Sequence, residues 1–500
     1  MIGKSLPEYI FIRISIYLLR SVAPASFLYL CFCFYSKSYL VSRWILLLAA
    51  LEVWFYVFVY RRRRPGLQKG VYNPPLLNRR QREALFTKCS QQLPDSNYPY
   101  GWFSSSILKR ENVVDWILWA LFCCSPKDAH DSWNEEIDNY VKEVERVTGI
   151  KLEDGRVALT TSLRLNLDPV RMSHRPLIWY WIVAIVDLIT CTKLYTLGFS
   201  HYSPRIFTRV FPPRFLTIIS KQSSTKHFSY WYRPHRSRNR DPMVFIHGIG
   251  IGLYPYLPFI QDLIKLDPDV GILLIELLPI TMHITADPIP SRIEMLDTLY
   301  ATMTSLGISR AVLASHSYGT VIAAHVIRDH RPIPKPLITS FLLFDPVSFL
   351  LHLPAVAFNF LYRTPHQANE WQLWYFASQD PDIAYALGRC FFWADNILWK
   401  DDLMLPLDTT STRDVDSSST NSITNTNSTV EQAARPRTRF AVVLAGDDQI
   451  VPASDVRRYL TGEDEVKDRW VNEDGSLQVL YYPGLDHATV FDTKERRRDD

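Results

Sequence analysis

Ser315-His316-Ser317-Tyr318-Gly319 lies between the apolar run Ala311-Val312-Leu313-Ala314 and a helix-like run from Thr320 to Ile327. A short apolar strand, one sharp turn carrying a serine, and then a helix is the layout of a nucleophile elbow. In the pattern G-x-S-x-G, small residues two positions either side let the turn close while the serine hydroxyl stays exposed. Here Ser315 replaces the first glycine, and it is still small enough to pack. Alone, a five-residue match with one departure reads equally well as an ordinary serine in a strand–helix turn. The surrounding chain has to decide.

Around that turn the texture alternates between strand and helix. Continuous apolar strands are expected at residues 242–246, 271–275, 310–314, 339–344, 439–444 and 477–482. An amphipathic helix is expected at 291–306. Buried strands alternating with helices predict a mostly parallel sheet with helices on both faces. Residues 350–400, helical and rich in tryptophan and phenylalanine, sit where a lid would be inserted. Residues 408–438 are dominated by Ser, Thr and Asn, a composition expected to be disordered. They include Asn427-Ser428-Thr429, a glycosylation sequon usable only on the lumenal side of a membrane.

A serine hydroxyl is a weak nucleophile at neutral pH and needs a base, an orienter for that base and oxyanion donors. Each has a candidate in the chain order Ser…Asp…His. The strand ending at Ile246 runs into His247-Gly248-Ile249-Gly250-Ile251-Gly252, whose backbone can approach a ligand closely. The expected oxyanion donors are the N–H groups of Ile249 and of Tyr318, just after the serine. A phosphate-binding loop is the competing interpretation, but Leu253-Tyr254-Pro255 does not open a regular helix. The acid is expected at Asp448 in Gly446-Asp447-Asp448-Gln449-Ile450-Val451-Pro452, with Asp345 at the end of the preceding strand as its rival. The base is expected at His487 in Gly484-Leu485-Asp486-His487-Ala488, after the last strand.

Residues from about His227 to Phe491 together resemble the α/β-hydrolase fold, and are similar to membrane-anchored α/β hydrolases of fungi and other eukaryotes. The resemblance rests on the His-Gly turn, the elbow, Gly446–Pro452 and Gly484–Ala488. Asp345-Pro346-Val347, Phe391-Phe392-Trp393 and Asn396-Ile397-Leu398-Trp399 also fit that group. It implies ester or related acyl chemistry but not the substrate. The expected activity is hydrolysis of an apolar, lipid-like acyl ester through Ser317, His487 and Asp448. No metal and no organic cofactor is required. An acyltransferase or thioesterase using the same serine, or a non-catalytic scaffold of this fold, are the alternatives.

The first sixty residues are the most apolar part of the chain. Residues 14–35 contain only Arg20, and residues 44–60 only Glu52, as charged side chains. Both approach the roughly 17–25 residues needed to cross hydrocarbon. Ala23-Pro24-Ala25 resembles a signal-peptidase site, but Arg13 and Arg20 interrupt the apolar core and a second apolar stretch follows, so an uncleaved anchor is expected. It would consist of two spans or a hairpin. Arg61-Arg62-Arg63-Arg64 then predicts a cytosolic exit and a cytosolic catalytic domain, on a membrane such as that of the endoplasmic reticulum or a lipid droplet. Residues 177–199 are again apolar but hold Asp187 and Lys193, which favours an interfacial or cap helix over a span.

The expected organisation is an anchor at 1–64, a helical and possibly membrane-associated region at 65–226, and the hydrolase domain at 227–500. Across the 500 residues the hydrophobic share is 47% and the aromatic share 13%, which excludes wholesale disorder. A net charge of +4 gives no case for nucleic acid, and the local arginine runs suit anionic lipid headgroups. Membrane lipid and an apolar ester are therefore the expected partners, with protein partners unknown. The seven cysteines have no zinc or C-x-x-C spacing and read as reduced thiols.

Overall fold

In the computed structural model the described residues are 2–71, 74–92, 100–204, 210–214, 218–286, 288–404 and 438–492. Most of the 408–438 stretch, with its sequon, lies outside them. The strands in chain order are β1 (Ser200–Ser203), β2 (Val210–Phe211), β3 (Lys221–Gln222), β4 (Ser229–Arg233), β5 (Met243–Ile246) and β6 (Ile272–Glu276). They continue with β7 (Ile284–Thr285), β8 (Arg310–His316), β9 (Leu337–Phe344), β10 (Arg439–Ala445), β11 (Arg469–Val471) and β12 (Leu477–Tyr482).

Ten of these form one sheet in the order β11-β12-β10-β9-β8-β5-β6-β4-β1-β3. The six strands from β12 to β6 run parallel and coincide with the six apolar runs in the sequence. β4 and β11 pair antiparallel at the flanks. The sheet begins at Ser200, ahead of the start at 227 that the sequence suggests, because β1 pairs with β4. These outer strands carry Ser, Tyr, Trp and Arg where the inner ones carry Val, Ile and Leu. Inner parallel strands are buried on both faces, and only that produces an unbroken apolar run.

Alternate residues of the inner strands feed two separate cores. Val244, Ile246, Leu273, Ile275 and Leu313 enter one, with helices Arg292–Ser305 and Gly319–Ile327. Phe245, Ile272, Leu274 and Ala314 enter the other, with helix Leu257–Leu266. A period of two across a sheet covered on both faces makes that division. Each fully buried large side chain contributes about 1.5–3 kcal/mol.

The chain reverses its direction of travel across the sheet at β5. It leaves β5 for β6 on one side and later continues through β8 and β9 on the other. Such a switch point opens a crevice at the carboxyl ends of the two neighbouring strands. β5 ends at Ile246 and β8 at His316, so the glycine turn and the Ser317 turn meet there.

The N-terminal half packs onto this sheet. Helix Arg110–Phe122 is buried almost all round from Trp116 to Phe122. It meets the 350–400 insertion through Trp393, whose Nε1–H donates to the Ala120 carbonyl at 3.0 Å. Trp102 Nε1–H likewise donates to the His352 carbonyl at 3.0 Å. Among the described residues, three helices are long and apolar enough to cross a membrane: Leu6–Ser36, Arg43–Leu67 and Leu177–Thr196.

Each of the three is also tied to the rest of the molecule. Arg13 lies 3.8 Å over the ring of Trp371. Glu52, buried in the second helix, accepts from Leu177 N at 2.8 Å and faces His174 Nε2 at 2.8 Å. Its carboxylate sits at the N-terminus of the third helix, where backbone N–H groups and the helix dipole favour negative charge. Arg63 holds the Asp382 carboxylate through two contacts of 3.0 Å.

The third helix buries Trp179, Tyr180, Val183, Cys191 and Leu194 and exposes Ile178, Trp181, Ile185 and Leu188. Its Asp187 points inward to His283 Nε2 at 2.7 Å and Arg214 Nε at 3.6 Å. Arg214 in turn grips Glu276 of β6 through two contacts of 2.8 Å. Burial works against a charged Glu276, but Arg214 and His201 hold its carboxyl well below the usual range. Removing one member of a buried ion pair strands the other. Glu276→Ala is therefore expected to lower unfolding stability by about 3–5 kcal/mol, measured by chemical denaturation in detergent.

Candidate active site

The turn after β8 is built on close approaches that only glycine permits. A Cβ at Gly319 would stand 2.4 Å from the Ile246 carbonyl oxygen, and one at Gly248 would stand 2.7 Å from Ser317 Cβ. Both are far inside contact distance, so the two turns lean directly on each other. Ser317 sits at φ 50°, a left-handed conformation that costs a non-glycine residue on the order of 1–3 kcal/mol. That conformation turns its side chain out of the strand. Ser315, where the common pattern has glycine, is fully buried between Ile246 and Leu343 on the neighbouring strands. It fits, but its Oγ has no hydrogen-bond partner.

Ser317 Oγ lies 2.8 Å from His487 Nε2, and His487 Nδ1 lies 2.7 Å from Asp448 Oδ2. The structure thus brings the three expected residues into one hydrogen-bonded chain from three different loops. Asp448 is fixed by its other oxygen, which accepts from Ile450 N at 2.7 Å and Val451 N at 2.9 Å. Asp486 Oδ1 accepts from His487 N at 2.7 Å and Gln449 N at 2.9 Å, joining the loop of the base to the loop of the acid.

Asp345, the rival acid, takes a different place. Its carboxylate accepts from Ala445 N and from Ala488 N, each at 2.8 Å. It clamps the end of β10 to the residue after His487 and makes no hydrogen bond to that ring. Its Oδ2 lies 3.7 Å from His316 Nε2.

The backbone N–H groups of Ile249 and Tyr318 donate to no acceptor among the described residues. Both residues line the same small cavity as Ser317, of about 50 Å³. Its other walls are apolar and include Phe360 and Phe391 of the 350–400 insertion and Trp102 and Leu165 of the N-terminal half. That contribution had no sequence signal, because a tryptophan or leucine in a pocket wall reads like any core residue.

Sequence reasoning also missed the brace under the glycine turn. The Tyr256 hydroxyl oxygen accepts from Gly248 N at 3.1 Å, and the same hydroxyl faces His316 Nδ1 at 2.7 Å. Burial pushes His316 down to about 4, so the ring is neutral and Nδ1 accepts a hydrogen bond from the Tyr256 hydroxyl. His247 Nε2 accepts from Leu277 N at 3.0 Å and its Nδ1–H donates to the Gly248 carbonyl at 2.7 Å. The N–H of Gly248 is engaged by the Tyr256 hydroxyl, while the next one along, that of Ile249, has no acceptor among the described residues. His316, Asp345 and His487 lie close enough together to approach one ion. However, both ring nitrogens of His487 are already engaged, by Ser317 and by Asp448.

Burial disfavours a charged His487, but the carboxylates of Asp448, Asp345 and Asp486 outweigh it and raise the ring to about 9. Neutral His316, its ring centre 5.0 Å away, lowers that field little. A base must be unprotonated to accept a proton, so reactivity at Ser317 should increase as pH rises through this value.

The crossover at β5 and the strand–serine–helix turn at the centre of a mostly parallel sheet make this an α/β-hydrolase fold. No protein-family model matches the sequence, and no curated protein matches it. Similar solved structures include a carboxylesterase of the thaumarchaeon Nitrososphaera gargenis, at 13% identity and TM-score 0.35, covering 55% of this chain and 94% of that one. A bacterial membrane phospholipase A is similar at 13% identity and TM-score 0.36, covering 64% and 91%. Carboxylesterase CesB of Bacillus subtilis is similar at 9% identity and TM-score 0.34, covering 63% and 96%.

Three outcomes test this geometry. Ser315→Ala removes a buried hydroxyl without a partner and should raise the unfolding free energy by about 1 kcal/mol, read by denaturation. The rate at which a fluorophosphonate modifies Ser317 should climb with pH to a midpoint well on the alkaline side of the ordinary histidine value. Asp345→Asn removes one of the carboxylates that raise His487, and should shift that midpoint downward in the same assay.

Proposed function

We propose that the protein is a membrane-associated serine hydrolase that cleaves acyl esters through Ser317, His487 and Asp448. The observation that carries this is the continuous contact of 2.8 Å and 2.7 Å from Ser317 through His487 to Asp448, beside two unengaged backbone N–H groups.

Each group has a task set by its position. With His487 neutral, its Nδ1–H donates to Asp448 and its Nε2 faces the serine hydroxyl. Ser317 Oγ attacks the ester carbonyl carbon as its proton passes to Nε2. The carbonyl oxygen becomes an oxyanion and is held by the N–H groups of Ile249 and Tyr318. Losing one such donor costs roughly 3–4 kcal/mol of barrier in comparable enzymes. The imidazolium, stabilised by Asp448, then protonates the departing alcohol oxygen. Water, deprotonated by His487, attacks the acyl–Ser317 ester, releases the acid and restores the serine hydroxyl.

Apolar walls around Ser317 support an apolar ester as substrate. The first two apolar helices, with the tetra-arginine at the end of the second, support attachment to a membrane, and a third helix that lies at the interface without crossing leaves the catalytic domain on the cytosolic side. An acyltransferase or thioesterase would use the same serine, and no observation favours either over hydrolysis. A non-catalytic scaffold has no need of strain at Ser317 or of a fully oriented acid and base.

A fluorophosphonate probe should label the wild-type protein in detergent, and neither Ser317→Ala nor His487→Ala should label. On a p-nitrophenyl ester either substitution should lower kcat by about 10⁶-fold, as removal of a serine or histidine does in a comparable triad. Wild-type protein that neither labels nor turns over the ester would sink the enzyme reading.

A further inference from the structure

Three cavities share walls between Ser317 and the arginine-bearing end of the second apolar helix. The inner one, about 50 Å³, contains Ser317 and both candidate oxyanion donors. The middle one, about 940 Å³, lies against Tyr318 and is also bounded by Tyr385, Cys390, His325 and Arg328. Tyr318 belongs to both, and Cys390 and Phe391 are successive residues facing one and the other. The outer cavity, about 370 Å³, shares Pro288, Ile289 and Tyr385 with the middle one and reaches Arg62 and Arg63. Arg63 is pinned to Asp382, which fixes that mouth beside the end of the apolar helix.

The sizes are unequal in a way that sorts the two arms of an ester. A cavity of about 150 Å³ is known to bind benzene, so the inner space suits a group of only a few heavy atoms. The middle space falls within the roughly 300–1,000 Å³ of ligand pockets. After the first step the acyl group stays bonded to Ser317, and the alcohol must leave. The acyl group therefore has to fit the inner cavity, while the alcohol needs the larger, open one.

We propose that the protein removes a short, acetyl-sized acyl group from a bulky amphiphilic alcohol that reaches Ser317 from the bilayer surface, past Arg62, Tyr385 and Tyr318. This rests on the serine-hydrolase reading above and names its substrate class. The bond from Ser317 Oγ to the acyl carbon forms as the ester C–O bond breaks. The serine proton travels through His487 to the alcohol oxygen, and water then releases the short acid. Arg61 to Arg64 mark the level of the lipid headgroups, so the outer mouth opens where an amphiphile resides.

The test uses the full chain in phosphatidylcholine–phosphatidylglycerol vesicles with two amphiphiles that carry the long arm on opposite sides of the ester. For 1-hexadecyl-2-acetylglycerol, kcat/KM should exceed that for 1-palmitoylglycerol by about tenfold or more. Tyr385→Trp, which narrows the shared wall, should lower kcat/KM on the acetyl lipid about tenfold more than on soluble p-nitrophenyl acetate. Pro288→Trp, at an exposed position on the same wall, should do the same, so that a folding defect in one variant is recognised. Equal or better cleavage of 1-palmitoylglycerol would overturn the assignment of the two arms. Parallel losses on lipid and soluble ester in both variants would overturn the route. Absence of p-nitrophenyl acetate turnover and of fluorophosphonate labelling in the wild type would instead remove the hydrolase reading beneath it.

Discussion

The contact between the ends of β5 and β8 is the constraint on which the rest of the site depends. Gly319 has the Ile246 carbonyl where a side chain would begin, and Gly248 has Ser317 there. Two turns pressed together this closely hold Ser317 in its left-handed conformation and bring Ile249 and Tyr318 to the same small cavity. A strained residue persists only where its surroundings over-determine it. Here the surroundings are a six-strand parallel core, buried on both faces, and the Tyr256–His316 brace beneath the turn. The sheet supplies rigidity, and the turns convert that rigidity into geometry.

Electrostatics around His487 show why two aspartates at strand ends have different duties. Asp448 presents an oxygen to the ring, whereas Asp345 spends both of its oxygens on backbone N–H groups. Its hydrogen bonds tie together the loops that carry acid and base, and its charge adds to the field on the imidazole. An acid that orients the ring and an acid that fixes the loops would look alike in sequence. Their distinction is a matter of direction, fixed by which atoms lie within hydrogen-bonding distance.

The N-terminal half is part of the machinery, because it shares cores with the sheet. Trp102 and Leu165 close the Ser317 cavity, and the apolar helices are fastened inward at Arg13, Glu52, Arg63 and Asp187. Each of these charges sits in or beside an apolar stretch and meets a partner on the protein side. A helix pinned in this way keeps a fixed face outward. For the third helix that face carries Ile178, Trp181, Ile185 and Leu188. Those four charges fasten the apolar helices to the rest of the molecule.

The sequence by itself determined the six inner strands, the elbow and the order of serine, acid and base. Buried parallel strands require unbroken apolar runs, and tight turns require glycine at fixed offsets, so both leave local marks. It placed Ser317, Asp448, His487, Ile249 and Tyr318 as candidates, and the structure brings all five to one cavity or its hydrogen-bonded wall. Tertiary structure alone decided that Asp448 and not Asp345 meets the imidazole, since that choice turns on a few ångströms between loops distant in sequence. It alone revealed the antiparallel outer strands, whose mixed polar and aromatic residues match no apolar period. It also decided the brace of Tyr256 on His316, the burial of helix Arg110–Phe122 and the wall from Trp102. These are contacts across long sequence separations, and no local pattern encodes a partner that only folding brings near.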